Sequence, residues 1–387
     1  MEILQNNVCA PKGFKALGKA IGIKKSKKPD FAVIFSDVPA DSAAVYTSNK
    51  VKGAPLVVTK KHLENGKAQA IAINSGIANV CTGRKGIKDA EDTAKYIASE
   101  LKIKSNDVLV ASTGLIGAYL PMSRIKERIK GIKKELSITP DAAAAIMTTD
   151  TIKKEIAIKA DNFVIGAIAK GSGMIHPNMA TMLCFITTDA QISSKKLRFF
   201  LKKSVDKSFN MISVDMDTST SDMAIIMANG LAGKADEKKF QEALDYVCMG
   251  LAKKIAKDGE GATKLVEVAV NNALTESDAR KLAKSVISSN LVKCALFGND
   301  PNWGRIISAM GNSGANFEQS LVEVHFGKEC IVTNGTTTNF SLQKVKDTMS
   351  RNFLNITINL KQGSQNAVAY GCDMSYDYVK INALYTT

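Results

Sequence analysis

Apolar residues recur along this chain in two rhythms. Between Leu120 and Leu136, the residues Met122, Ile125, Ile129, Ile132 and Leu136 fall three and four apart with Lys and Arg between them. That spacing lays one apolar stripe along a helix. Pro121 and Ser123 suit its first turn. Shorter apolar runs, Asp107 to Ala111, Phe163 to Ala169, Met182 to Thr187 and Val266 to Val270, are bounded by Gly, Asn or Asp and read as buried strands. Ile356, Ile358 and Leu360 alternate with polar residues, as in a half-buried strand. The mixture predicts an α/β protein.

A second domain is expected to begin near residue 275. Thr275 and Ser277 to Ala279 form a helix start, Lys281 to Leu296 is a long amphipathic run, and Gly298-Asn299-Asp300-Pro301-Asn302 is a cluster of turn residues. This divides the chain into 1–275 and 276–387, with no fixed-period repeat in either part.

At 387 residues and 45% hydrophobic content the chain is that of a globular protein with a sizeable core. The net charge of +15 raises the prospect of a polyanionic partner. Nearly all of that charge is lysine, however, and Arg84, Arg124, Arg128, Arg198, Arg280, Arg305 and Arg351 are the only arginines. Arginine is the fork that reads phosphates and base edges, so a lysine-rich solvated surface is the better reading and no nucleic acid is expected. Seven scattered cysteines without CxxC pairs point to reduced thiols and a cytoplasmic setting. Met1 to Lys12 lacks the basic stretch and apolar core of a leader, and no run approaches a membrane span.

Most familiar chemistry is missing. There is no HExxH, GxSxG or GxxxxGK[ST], and His62, His176 and His325 are not spaced with cysteines or acids as metal ligands. No metal and no resident cofactor are expected. Asp215, Asp217 and Asp222 could form a carboxylate cluster, but Thr218 to Ser221 between them read better as a helix N-terminus with capping side chains.

Two segments stand out. In Lys170-Gly171-Ser172-Gly173-Met174-Ile175-His176-Pro177-Asn178-Met179-Ala180-Thr181, a glycine-rich turn leads to a threonine at the mouth of a buried strand. A threonine hydroxyl needs an adjacent base to become a nucleophile, and an N-terminal threonine carries one in its own α-amine. In Ala111-Ser112-Thr113-Gly114-Leu115-Ile116-Gly117, a strand ending in Thr-Gly offers a hydroxyl and a flexible N–H to a developing oxyanion. A plain loop-to-strand junction would fit either segment alone.

Together with Met147 to Asp150, Asp258 to Lys264, Gly298 to Ile307 and Tyr376 to Thr387, these segments resemble the glutamate N-acetyltransferase family, also called ornithine acetyltransferases, of arginine biosynthesis. The resemblance spans essentially the whole chain. It implies a layered α/β sandwich of the self-processing N-terminal-threonine nucleophile type, with a smaller C-terminal α/β domain. Cleavage would fall between Ala180 and Thr181, giving an α chain 1–180 and a β chain 181–387 that stay together as an α2β2 heterotetramer. Thr181 would take acetyl from N2-acetylornithine and pass it to glutamate, with acetyl-CoA as a further donor in bifunctional members. Thr113 and Gly114 match the oxyanion positions, and Thr148, Lys170, Thr181, Glu260, Asn382 and Thr387 the substrate contacts. Lys170 and Glu260 are expected in Gly-flanked loops, where Lys170 could pair with an amino-acid carboxylate and Glu260 with its amine. Leu384 departs from the polar residue expected in the tail. The rival enzyme reading is a hydrolase of the same nucleophile group that gives the acyl group to water.

Overall fold

The computed structural model describes residues 1–5, 7–176 and 182–384. Among these, nine strands form one sheet. Its order is Glu2–Leu4, Lys154–Ala160, Phe163–Lys170, Leu183–Gln191, Met223–Lys234, Phe31–Tyr46, Lys67–Ile77 and Val108–Leu115, with Phe14–Lys19 also paired to Phe31–Tyr46. Side chains on a strand alternate between faces, and here both faces are buried. Leu183 and Phe185 enter one core, Cys184 and Ile186 another.

The core that contains Leu183, Phe185, Ile225 and Met227 also contains Ile34, Ile71, Ile73 and Leu109. Inner faces from the two halves of the sheet therefore meet across a shared interior. Helices cover the outer faces: Ser194–Lys207 and Glu237–Lys257 on one half, Gly83–Leu101 and Met122–Arg128 on the other. The result is the layered sandwich. Each fully buried Leu, Ile or Phe in these layers contributes roughly 1.5–3 kcal/mol relative to exposure.

A seven-stranded sheet forms the second unit, ordered Thr336–Thr337, Glu329–Thr333, Glu323–Phe326, Phe353–Asn359, Leu265–Ala273, Gln365–Cys372 and Ile212–Ser213. Helix Glu276–Ser288 packs on it. Leu265–Ala273, which precedes the expected position near 275, already belongs to this sheet, as does Ile212–Ser213. Thr275 does cap the helix, accepting from the N–H of Asp278 at 3.0 Å.

Two helix expectations are corrected. The stripe from Leu120 to Leu136 is split into Met122–Arg128 and a short 3₁₀ turn, because Gly131 lies between them in a left-handed conformation (φ 77°). The run from Lys281 to Leu296 breaks at Ser289, which caps a new helix, Asn290–Phe297, through the N–H of Val292. No helix among the described residues is long and apolar enough to cross a membrane.

Candidate active site

Thr113 and Gly114 sit near the C-terminal end of Val108–Leu115, paired in parallel with Ser75 and Gly76 of the neighbouring strand. Gly114 has φ 127°, and a Cβ there would stand 2.3 Å from the carbonyl carbon of Gly76. Only glycine permits that approach. Beside it, the Nζ of Lys170 donates to the Thr113 hydroxyl at 3.3 Å.

Lys170 is the last residue of strand Phe163–Lys170 and is buried, a correction to its expected place in a loop. Burial lowers its pKa, and the Asp150 carboxylate opposes that effect most strongly. Asp150 is the organising acid of the site. Its oxygens accept from the N–H groups of Thr148 at 2.9 Å and Gly171 at 2.7 Å, and from Lys154 Nζ at 2.6 Å. Burial alone would raise this carboxyl, but Lys170, Lys154 and the Gly171 N–H hold it down at about 2. Lys154 also reaches Asp258 at 2.5 Å, which in turn accepts from the N–H and hydroxyl of Thr151.

Two residues beyond Asp258, the N–H of Glu260 donates to the Ser172 carbonyl at 3.0 Å. The Glu260 carboxylate lies over Gly173, where a Cβ would come within 2.4 Å of it. Asn382, on helix Tyr376–Leu384, donates to that carboxylate at 2.8 Å and to the Tyr378 carbonyl at 3.0 Å.

Several of these residues line one cleft of about 330 Å³. Thr113, Gly114, Thr148, Lys170, Glu260 and Asn382, drawn from segments far apart in sequence, all reach it. A larger cavity, about 890 Å³, lies between the edge strand Glu2–Leu4 and helix Glu237–Lys257, but holds none of the residues singled out from sequence. Ala180, Thr181 and Thr387 lie outside the described residues. Next to Thr181 in the chain, the Met182 carbonyl accepts from Met223 N–H at 2.9 Å.

The cleft also has a wall that sequence reasoning missed. Ser219, Thr220 and Ser221 line it, with Thr149 and Met174. The stretch 218–221 is not a helix N-terminus. Asp215 instead accepts from the N–H groups of Met174 and Ile175 at 2.6 and 2.8 Å, fixing the glycine-rich turn. No group of acids, histidines or cysteines among the described residues could hold a metal. Asp222, behind this wall, is buried with one carboxylate oxygen lacking a hydrogen-bond partner among the described residues, and burial raises its pKa well above the usual range. The run of hydroxyls just before an apolar strand was the available signal for this wall.

The arrangement supplies a hydroxyl and backbone N–H at a strand end, a buried cation and a carboxylate about one small-molecule cleft. It can grip a zwitterion and a developing oxyanion. A sequence model of the ArgJ family matches residues 15–387. The arginine biosynthesis bifunctional protein ArgJ of Caldanaerobacter subterraneus subsp. tengcongensis is 48% identical over the whole of both chains, and that of Listeria monocytogenes is 47% identical, again over both. A crystal structure of the Bacillus halodurans protein of that name is 40% identical with a TM-score of 0.50, covering 51% of this chain and 97% of its own.

Proposed function

This chain belongs to the ArgJ family, and we propose that it cuts its own backbone between Ala180 and Thr181 and then uses Thr181 to carry acetyl from N2-acetylornithine to glutamate. The observation that carries the reading is the convergence of Thr113, Gly114, Thr148, Lys170, Glu260 and Asn382 on one small cleft. The half-length of the matched Bacillus halodurans chain also supports a molecule made of two pieces.

In the first half-reaction the Thr181 hydroxyl adds to the acetyl carbonyl and its proton passes to the α-amine freed by cleavage. Thr113 and Gly114 stabilise the oxyanion. Collapse expels the ornithine amine, which takes the proton, and leaves an acetyl ester on Thr181. The glutamate amine then attacks that ester, and N-acetylglutamate leaves. Lys170 holds the α-carboxylate that both amino acids share, while Glu260, positioned by Asn382, holds the side-chain ammonium of the ornithine substrate. Acetyl-CoA would load the same threonine, and the active species is an α2β2 assembly.

Mass spectrometry tests this directly. The purified protein should contain two chains that meet at the 180/181 bond, and mixing with N2-acetylornithine alone should add one acetyl group to the chain that begins with Thr181 while ornithine is released. An active but uncut protein would end the reading. Release of free acetate in place of N-acetylglutamate would favour a hydrolase.

A further inference from the structure

We propose that a cavity beside the cleft, across the Ile175–Thr218 bridge, is a second binding site, for the phosphate of a small phosphorylated molecule. Met174 and Ser219 line the cleft, whereas His176 and Thr218 line this second cavity. The wall between them is the backbone pair Ile175 and Thr218. At about 660 Å³ the cavity has room for a nucleotide-sized ligand.

Its lining is cationic. Helix Glu276–Ser288 contributes Arg280, Lys281 and Lys284, and Lys50 comes from the segment after Phe31–Tyr46. Among the described lining residues the single carboxylate is Asp206, which is engaged by Lys202 at 2.6 Å and by Asn210 at 2.8 Å.

Backbone carbonyls orient several of these cations. Lys284 donates to the carbonyls of Asn210 and Ile212 at 2.9 and 2.7 Å, Arg280 to that of Asp206 at 2.6 Å, and Lys281 to that of Gly314 at 3.2 Å. Arg280 stands 3.8 Å from the exposed Glu276 carboxylate. Burial and the nearby Arg280 push Lys284 down to about 7, and burial with Lys284 and Lys293 pushes His176 down to about 4. Lys50, Arg280, Lys281 and Lys284 converge on one cavity, and an entering dianion would offset the cost of bringing them together. An arginine fork with two ammonium groups suits the three oxygens of a phosphate.

Two sources carry this chemistry: the phosphorylated nucleotide end of an acyl-CoA, and free phosphate acting as an effector. The site does not depend on the acetyl transfer proposed above, because occupancy is measured without turnover.

The test is calorimetric titration of the purified full protein at low salt with inorganic phosphate and, separately, 3′,5′-ADP. Saturable binding of either is expected, and Lys50→Glu with Lys281→Glu, both exposed and outside the cleft, should weaken it by about tenfold or more. Tighter binding of 3′,5′-ADP identifies the nucleotide end, and equal or tighter binding of phosphate identifies an effector. At pH 8 the anion should recharge Lys284, which shares the cavity with Arg280 and Lys281 of its own helix and with His176, Asp206 and Lys50 from elsewhere. Binding should then take up protons, measurable as a dependence of the heat on buffer ionisation enthalpy, and Lys284→Gln should abolish that uptake. Absence of saturable binding by both probes, or affinities unchanged in the double variant, overturns the proposal.

Discussion

Lys154 and Lys170 lie on adjacent strands, with Lys154 paired to Ala169, yet the fold treats them oppositely. Lys154 is fully buried and clamped by Asp150 at 2.6 Å and Asp258 at 2.5 Å. Lys170, 9% exposed, has a neutral hydroxyl as its close partner and opens on the cleft. A buried cation with two carboxylates is satisfied and holds structure together. One whose countercharge is held back is poised for an arriving anion. Asp150 serves both, since it touches Lys154 directly and is felt by Lys170 at longer range.

The largest effect should come from breaking the clamped member. Lys154→Met leaves two acids uncompensated in the interior and should cost about 3–5 kcal/mol, read as a lowered urea midpoint. An unchanged midpoint would mean that the clamp is not a structural element.

Lys170→Met should behave in the opposite way. Thermal stability should change little, because relief of a dehydrated ammonium is offset by lost support for the Asp150 carboxylate. The KM for glutamate should rise about 10- to 100-fold for the lost charged hydrogen bond of roughly 1.5–3 kcal/mol. A variant that unfolds while its KM is unchanged would erase the contrast between the two lysines.

Acid titration sharpens the role of Asp150. Its folded pKa of about 2 lies below the unfolded value near 3.8, so over that interval the unfolded chain binds more protons. The stabilisation is present above about pH 4 and is lost as pH falls towards 2, amounting to about 2 kcal/mol. In Lys170→Met the loss should begin at higher pH, as followed by circular dichroism. The smallest effect is expected from Asn382→Ala, which frees the Glu260 carboxylate. Losing one hydrogen bond of about 0.5–1.5 kcal/mol should raise the KM for N2-acetylornithine severalfold without altering the melting temperature.

Sequence was informative where a local rule decided the outcome. The strands around Phe163 and Leu183 and the Thr275 cap follow from alternation and capping, and the Thr113-Gly114 pair marks a strand end. Lys170 was misplaced because a lysine after an apolar run looks like the start of a loop, and only the neighbouring acids explain its burial. The stretch 218–221 looked like a helix start, but its carbonyls and that of Asp222 are claimed from outside. Thr47 and Asn49 side chains donate to Ser219 and Thr218, and the N–H groups of Gly53 and Thr47 to Thr220 and Asp222. Those partners lie some 170 residues away in sequence, beyond the reach of any local rule.

The strand Leu183–Gln191 sits inside the large sheet, hydrogen-bonded to Phe163–Lys170 on one side and Met223–Lys234 on the other. With a cut at 180/181, two seams of that sheet would join separate polypeptides: Phe163–Lys170 with Leu183–Gln191, and Met223–Lys234 with Phe31–Tyr46. Both seams would be laid down while the chain is still continuous, so their formation would be unimolecular and independent of concentration. After the cut, the same pairing can be regained only by a second-order encounter between pieces that each present a bare strand edge, which invites aggregation. Heating the mature protein should therefore be a one-way event, and its durability is a matter of unfolding rate rather than equilibrium.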